Sequence, residues 1–242
     1  MQRALIIGAS GTIGRAIAEA LAQAGWSLEL HANQHFLAVQ QLSEQLAVRY
    51  PRQDFIPVRL DLTANDAVLT KFATSILAVN AIVFAQGVTH YGLLGEEPLA
   101  DIDRLLTINL RAPLKLTHLL EPMLLNQPYS RIVFIGSVYG GQGSALESVY
   151  SATKAGLSGF AQAYSREVAS SHLTVNVIAP GAVRSAMTAN FSAAELSAVQ
   201  ADIPAGRLAT GADIAAPVVH LLTASSNYLT GQTIYVSGGW LR

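Results

Sequence analysis

A chain of 242 residues, 51% hydrophobic and 13% charged, is long enough to bury one α/β core and too apolar to be disordered. Fifteen basic residues against sixteen acidic ones leave a formal charge of -1, so no global basic field exists to draw nucleic acid or an anionic membrane. The lack of cysteine excludes disulfides, zinc–thiolate sites and thiol catalysis, and it agrees with a reducing cytoplasm.

The first apolar run, Ala4 to Ile7, breaks at Gly8, too short for a signal peptide or a membrane span. Similar runs of strand length recur at Leu28 to Leu30, Phe55 to Leu60, Ala81 to Ala85, Ile132 to Ile135, Val175 to Ile178 and Thr233 to Val236. Between them lie segments of helical composition, such as Ile13 to Ala24 and Phe36 to Val48. Strands apolar on both faces that alternate with helices predict a parallel sheet covered on each side. The expectation is a single α/β domain of Rossmann type, doubly wound on a seven-stranded sheet, soluble and cytoplasmic. Thr188 to Ala201, followed by Pro204 and Gly206, interrupts the alternation. It reads as a lid over about 186–206, or as an ordinary surface helix.

Gly8-Ala9-Ser10-Gly11-Thr12-Ile13-Gly14 sits between the first strand and the first helix. There a dinucleotide pyrophosphate can rest on backbone N–H groups and the positive helix end. At the tip of the second strand an acid would hold the ribose hydroxyls of NAD and repel the extra phosphate of NADP. The tip reads Leu30-His31-Ala32-Asn33-Gln34-His35. Asn33 and the histidines suit a 2′-phosphate, so NADP is favoured over NAD. Asp61-Leu62 after the third strand is placed to bond the adenine amino group, unless Asp61 caps the next helix.

Tyr150 and Lys154 are spaced i, i+4, which on a helix puts them on one face. A cation beside the phenol predicts a tyrosine pKa below its usual value of about 10, and so a proton donor near neutrality. A solvated surface pair is the ordinary alternative. Ser137 closes the fifth strand, at the strand end where ligands bind; alone, it could simply satisfy backbone. Asn109 stands four residues before Pro113, so in an α-helix its carbonyl loses its usual N–H partner and can hold a water. A plain proline kink is the competing reading.

Together the glycine turn, Asn109, Ser137, Tyr150, Lys154, Pro180-Gly181 and the tail from Tyr228 to Gly239 resemble the short-chain dehydrogenase/reductase family over nearly the whole chain. The resemblance implies that Tyr150 protonates a carbonyl oxygen as hydride arrives from the nicotinamide. It makes Ser137 that oxygen's second hydrogen-bond partner. Lys154 lowers the tyrosine pKa and holds the nicotinamide ribose, and Asn109 anchors a proton relay. It also implies contacts to the cofactor from Pro180, Gly181, Val183 and Ser185, with Gly181 allowing close approach to the carboxamide. The family's Asn-Ala-Gly after the fourth strand is Ala85-Gln86-Gly87 here, and Gln86 is the candidate to replace the lost side-chain brace.

The 3-oxoacyl-[acyl-carrier-protein] reductases are the most similar group. The loops Gln127-Pro128-Tyr129 and Ser170-Ser171-His172 carry no fixed positive charge to meet an acidic carrier, and Glu147 stands three residues before Tyr150. A carboxylate there favours a cationic substrate. Glu29-Leu30-His31, Ala85-Gln86-Gly87 and Glu147 to Tyr150 also look like the elongation factor P 5-aminopentanone reductases, which act on a modified lysine. The substrate is thus a carbonyl compound, small or carried on a protein. A catalytically silent NADP sensor or scaffold is the rival of another class. Small residues along Tyr150 to Ala169 point to a homodimer or homotetramer, or to burial within the chain.

Overall fold

The computed structural model describes residues 2–185 and 192–240. Seven strands form one parallel sheet: β1 (Arg3–Ile7), β2 (Ser27–Ala32), β3 (Phe55–Arg59), β4 (Ala81–Phe84), β5 (Ser130–Ile135), β6 (Leu173–Pro180) and β7 (Thr233–Val236). Their order is β3-β2-β1-β4-β5-β6-β7. The order reverses between β1 and β4, and in such sheets the crevice at the strand ends of this switch point is where ligands bind.

Alternate side chains of each strand supply two cores. Ala4 and Ile6 of β1, with Leu28 and Leu30 of β2, pack under α1 (Thr12–Gln23), α2 (Phe36–Arg49) and α9 (Gly211–Leu222). Leu5 and Ile7, with Ile82, Phe84, Ile132 and Phe134, pack against α3 (Asp66–Ser75), α5 (Ala112–Leu125) and α7 (Ser148–Val168). Because both faces are covered, the strands read as continuous apolar runs without alternation. Short α4 (Leu99–Leu106) runs into a π-helical segment, Thr107–Arg111, and on into α5; α6 (Tyr139–Gln142) is a single turn before α7.

Part of the segment expected to form a lid falls within the described residues. Helix α8 (Ala193–Asp202) starts with a reciprocal capping box between Ser192 and Glu195, and Ile203 after it is buried. Residues 186–191 of that expectation lie outside the described residues.

Candidate active site

The glycine turn is shaped by contacts that no side chain could tolerate. Gly8 has φ +89°, and a Cβ on it would lie 2.6 Å from the Gln86 nitrogen; one on Gly14 would lie 2.2 Å from the Gly8 carbonyl oxygen. The turn's N–H groups divide into two sets. Gly8 donates to His31 Nδ1 at 3.1 Å, Ala9 to the His31 carbonyl at 2.8 Å and Gly11 to the Gly8 carbonyl at 3.2 Å. The N–H groups of Ser10, Thr12 and Ile13 have no acceptor among the described residues. Helix α1 begins at Gly11 with no side-chain cap and no acid in its first turn. An open row of donors at a positive helix end fits a pyrophosphate.

His31 does not serve as expected. It is 2% exposed, its Nε2 lies 3.0 Å from the Leu60 carbonyl, and its ring meets Phe72 edge-on. Burial pushes its pKa down to about 4. With Nε2–H donating to Leu60 and Nδ1 accepting from Gly8, the ring is a neutral brace of the turn, not a phosphate ligand.

Asp61 is exposed and accepts from the Thr63 N–H at 2.8 Å and the Thr63 hydroxyl at 2.7 Å; these bonds, with a weaker one from Asn33, hold its carboxyl below the usual range. It does not cap α3, because Asn65 does, accepting from the Val68 N–H at 3.1 Å. Leu62 is buried beside it.

Ala85 extends β4 by donating to the Ile7 carbonyl at 2.8 Å, and Gly87 is half-buried after it. Gln86 is 9% exposed, and its Nε2 donates to the Ile108 carbonyl at 3.3 Å. Its Oε1 is buried and has no hydrogen-bond partner among the described residues.

The helix around Asn109 is not α-helical as the spacing predicted. Ala112 N–H bonds the Thr107 carbonyl, five residues back. In that register Pro113 leaves the Ile108 carbonyl open, and this is the oxygen that Gln86 bonds. The Asn109 side chain is fully buried; it accepts from the Val88 N–H at 2.9 Å and donates to the Val88 carbonyl at 2.8 Å. A longer contact, 3.4 Å, reaches the Thr153 hydroxyl on α7. Asn109 thus ties the loop after β4 to the helix that carries Tyr150 and Lys154.

Ser137, Tyr150 and Lys154 come together at the carboxyl end of β5. The Ser137 side chain lies beside the Tyr150 hydroxyl and lowers its pKa, and its oxygen accepts from the Tyr139 N–H at 3.2 Å. Lys154 is 3% exposed; its Nζ donates to the Ile135 carbonyl at 2.8 Å and sits 5.6 Å from the Tyr150 ring centroid. The expected acidic tyrosine is not found. Burial pushes the Tyr150 pKa up to about 12, against the lowering effect of Ser137, and Glu147 adds to the rise. Burial likewise brings Lys154 down to about 8. Desolvation outweighs the mutual influence that helix spacing suggested, because the crevice removes both groups from water.

Gly140 was not apparent from sequence. A Cβ there would lie 2.8 Å from the backbone carbon of Lys154, so the turn of α6 seats directly on α7 and holds Ser137 and Tyr139 against Tyr150. Glu147, at the start of α7, accepts from the Thr89 hydroxyl at 2.6 Å, and its charge reaches Tyr139 and Tyr150. Tyr139 in turn meets Trp240 edge-on at 6.0 Å.

At the end of β6, Pro180 pairs with Val236, and Gly181 just after it donates to the Val236 carbonyl at 3.0 Å. A Cβ on Gly181 would lie 2.9 Å from Ser237 Cα, so its lack of side chain admits the β7 backbone. Val183 is buried and bridges to Ala209, and Ser185 is half-buried just after it. Among the described residues no cluster of three or more His, Asp or Glu could hold a metal, and no helix is long and apolar enough to cross a membrane.

A sheet with this strand order, a glycine turn with open N–H groups at a helix start and a Ser–Tyr–Lys cluster define a dinucleotide-dependent oxidoreductase. Residues 2–196 match the model of the short chain dehydrogenases, and the chain belongs to that family. It is 35% identical over 237 residues to the uncharacterized oxidoreductase YmfI of Bacillus subtilis (strain 168), covering 98% of both chains. It is 34% identical over 236 residues to the 3-oxoacyl-[acyl-carrier-protein] reductase FabG of Escherichia coli (strain K12), covering 98% of this chain and 96% of that one. Among solved structures, the 3-oxoacyl-[acyl-carrier protein] reductase of Brucella melitensis superposes with a TM-score of 0.91 at 26% identity, over 100% of this chain and 91% of that one. A Beutenbergia cavernae structure with NADP bound, named for an NAD(P)-dependent gluconate 5-dehydrogenase, gives 0.92 at 31% identity over 99% and 96%. The chain is therefore an oxidoreductase acting on alcohol or ketone groups.

Proposed function

We propose that the protein is a cytoplasmic NADPH-dependent ketone reductase of the 3-oxoacyl-[acyl-carrier-protein] reductase kind, with Tyr150 as general acid. The observation that carries the reading is the gathering of Ser137 and Tyr150 at the carboxyl end of β5, with buried Lys154 beside the Tyr150 ring. The nicotinamide, when bound, supplies a hydride to the carbonyl carbon. Ser10, Thr12 and Ile13 would offer N–H groups to its pyrophosphate, and exposed Asp61 after β3 would meet the adenosine half.

A phenol held at about 12 keeps its proton at neutral pH and can give it to an oxygen that becomes an alkoxide. Ser137 holds the same oxygen in place. Lys154, near 8, can pass a proton inward to restore the phenol. Asn109, fixed to Val88 and near Thr153, keeps the loop and α7 in register.

The exposed small residues of α7, Ala152, Ala155, Gly159 and Ala163, support association as a homodimer or homotetramer. Light scattering on the purified protein would read the mass. The segment about 186–206 is proposed as the lid over the crevice.

Glu147 supports a second reading, an aminopentanone on a modified lysine as substrate. Its carboxylate is anchored by Thr89 and acts on Tyr150, where it would attract an ammonium group. NADPH oxidation with a 3-oxoacyl thioester and with an aminopentanone-bearing protein separates the two. Faster turnover of the thioester supports the reductase of acyl carriers and removes the amine reading. Tyr150→Phe should bind NADPH as the parent does and lose turnover by a factor of about 100 to 10,000. Undiminished turnover would refute the acid assignment, and a parent that binds NADPH without reducing any ketone would favour a sensor.

A further inference from the structure

The tip of β2 has lost His31 as a phosphate partner, yet beside exposed His35 it has a cation that its own sequence does not show. In the parallel register Ala32, the last residue of β2, pairs with Arg59, the last residue of β3. Paired residues point to the same face. Leu28, Leu30 and Ala32 of β2 and Phe55 of β3 all pack beneath α2. Arg59 lies on the Phe55 face and emerges at the strand tip, above the start of α2. Its guanidinium carbon lies 5.9 Å from the ring centroid of Phe36, the first residue of that helix. The helix begins there without a side-chain cap and without an acid in its first turn.

Arg59 is exposed and forms no salt bridge with any described carboxylate. Its two neighbours, Ala32 and Phe36, flank Asn33-Gln34-His35, the β2–α2 turn where the adenosine ribose of a Rossmann-bound dinucleotide comes to rest. Asn33 is drawn toward the carboxylate of Asp61. Without a cation the tip would therefore disfavour a further negative charge.

We propose that Arg59 is the residue that reads the 2′-phosphate of NADP, its guanidinium laid over Phe36 and aimed at the β2–α2 turn. The ring fixes the planar fork in one orientation, and the fork presents paired N–H donors to a phosphate. The inference rests on the NADPH reading above and assigns its specificity to a neighbouring strand.

The test titrates the cofactor-free protein with adenosine 2′,5′-bisphosphate and with adenosine 5′-monophosphate by calorimetry, for the parent, Arg59→Gln and Arg59→Lys. The parent should prefer the bisphosphate. Arg59→Gln should weaken the bisphosphate about ten- to a hundred-fold and leave the monophosphate unchanged; Arg59→Lys should fall between, since it keeps charge and loses the fork. In steady state the KM for NADPH should rise by the same factor, with kcat and the KM for NADH unmoved. A parent that discriminates while Arg59→Gln discriminates equally well overturns the role of Arg59. So does equal weakening of both nucleotides, which would mark a structural role. A parent that binds both alike and uses NADH as well as NADPH overturns the NADPH reading itself, and Arg59 with it.

Discussion

Acid should loosen the glycine turn through one buried imidazole. His31 has a folded pKa of about 4 against 6.5 for the free side chain. Between these values the unfolded chain holds the proton and the folded one does not, so unfolding takes up a proton and stability falls as pH drops through that window. Protonation of the folded form would put an N–H on Nδ1 facing the Gly8 N–H, donor against donor. The linkage comes to about 2 kcal/mol lost at pH 5 and about 3 at pH 4, all of it present above pH 6.5. His31→Leu fills the space but orphans the Gly8 N–H and the Leu60 carbonyl, at a cost near neutrality of about 2–4 kcal/mol. Urea unfolding of both proteins from about pH 7 to about pH 4.5 should show two curves that converge toward acid, since the carboxylates they share cancel in the difference. Parallel curves, or a His31 ring that titrates near 6.5 by NMR, would refute the account. NADPH affinity of the folded protein should hold through that window and decline only as pH approaches about 4, where His31 takes up its proton in the folded state, because Gly8 sets the positions of the Ser10, Thr12 and Ile13 donors.

Two further outcomes follow from burial and contact. Lys154 at about 8 is held charged against its surroundings at neutral pH; its folded pKa lies below the unfolded 10.5, so stability rises with pH between the two. Lys154→Met should remove that cost and one hydrogen bond, making the cofactor-free protein about 1–3 kcal/mol more stable at pH 7 while abolishing turnover; a lower thermal midpoint at that pH would contradict it. Gly14→Ala drives a methyl to within 2.2 Å of the Gly8 oxygen, and should cost about 1–3 kcal/mol and the NADPH site together, read by melting and by NADPH fluorescence.

Much of this arrangement was legible in the chain. Seven apolar runs without alternation gave a two-faced parallel sheet, and the glycines after the first run located the tight turn that opens α1. Ser137, Tyr150 and Lys154 did converge as spacing and resemblance implied. What failed depended on packing between segments far apart in sequence. His31 looks like a solvent-facing ligand until β3 and α3 close over it. Arg59 belongs to the β2 tip only through strand register. The Asn109–Pro113 spacing reads as an α-helix missing one bond, and only the Gln86 contact with Ile108 reveals the wider turn. The direction of the Tyr150 shift was misjudged because helix spacing reports a neighbour's charge and says nothing of the water both groups lose.

The π segment has a consequence for the gene. It amounts to one residue inserted into an otherwise continuous α-helix. Removing any one of residues 107–111 would heal the helix locally, yet would turn α4 by about 100° relative to α5. Leu105 would leave the core, or Asn109 would leave Val88, since the two sides of the insertion are held in different helical phases. Substitution within α4 and α5 can be absorbed side chain by side chain. A single-codon deletion there cannot, which makes this stretch of regular helix less tolerant of length change than the loops around it.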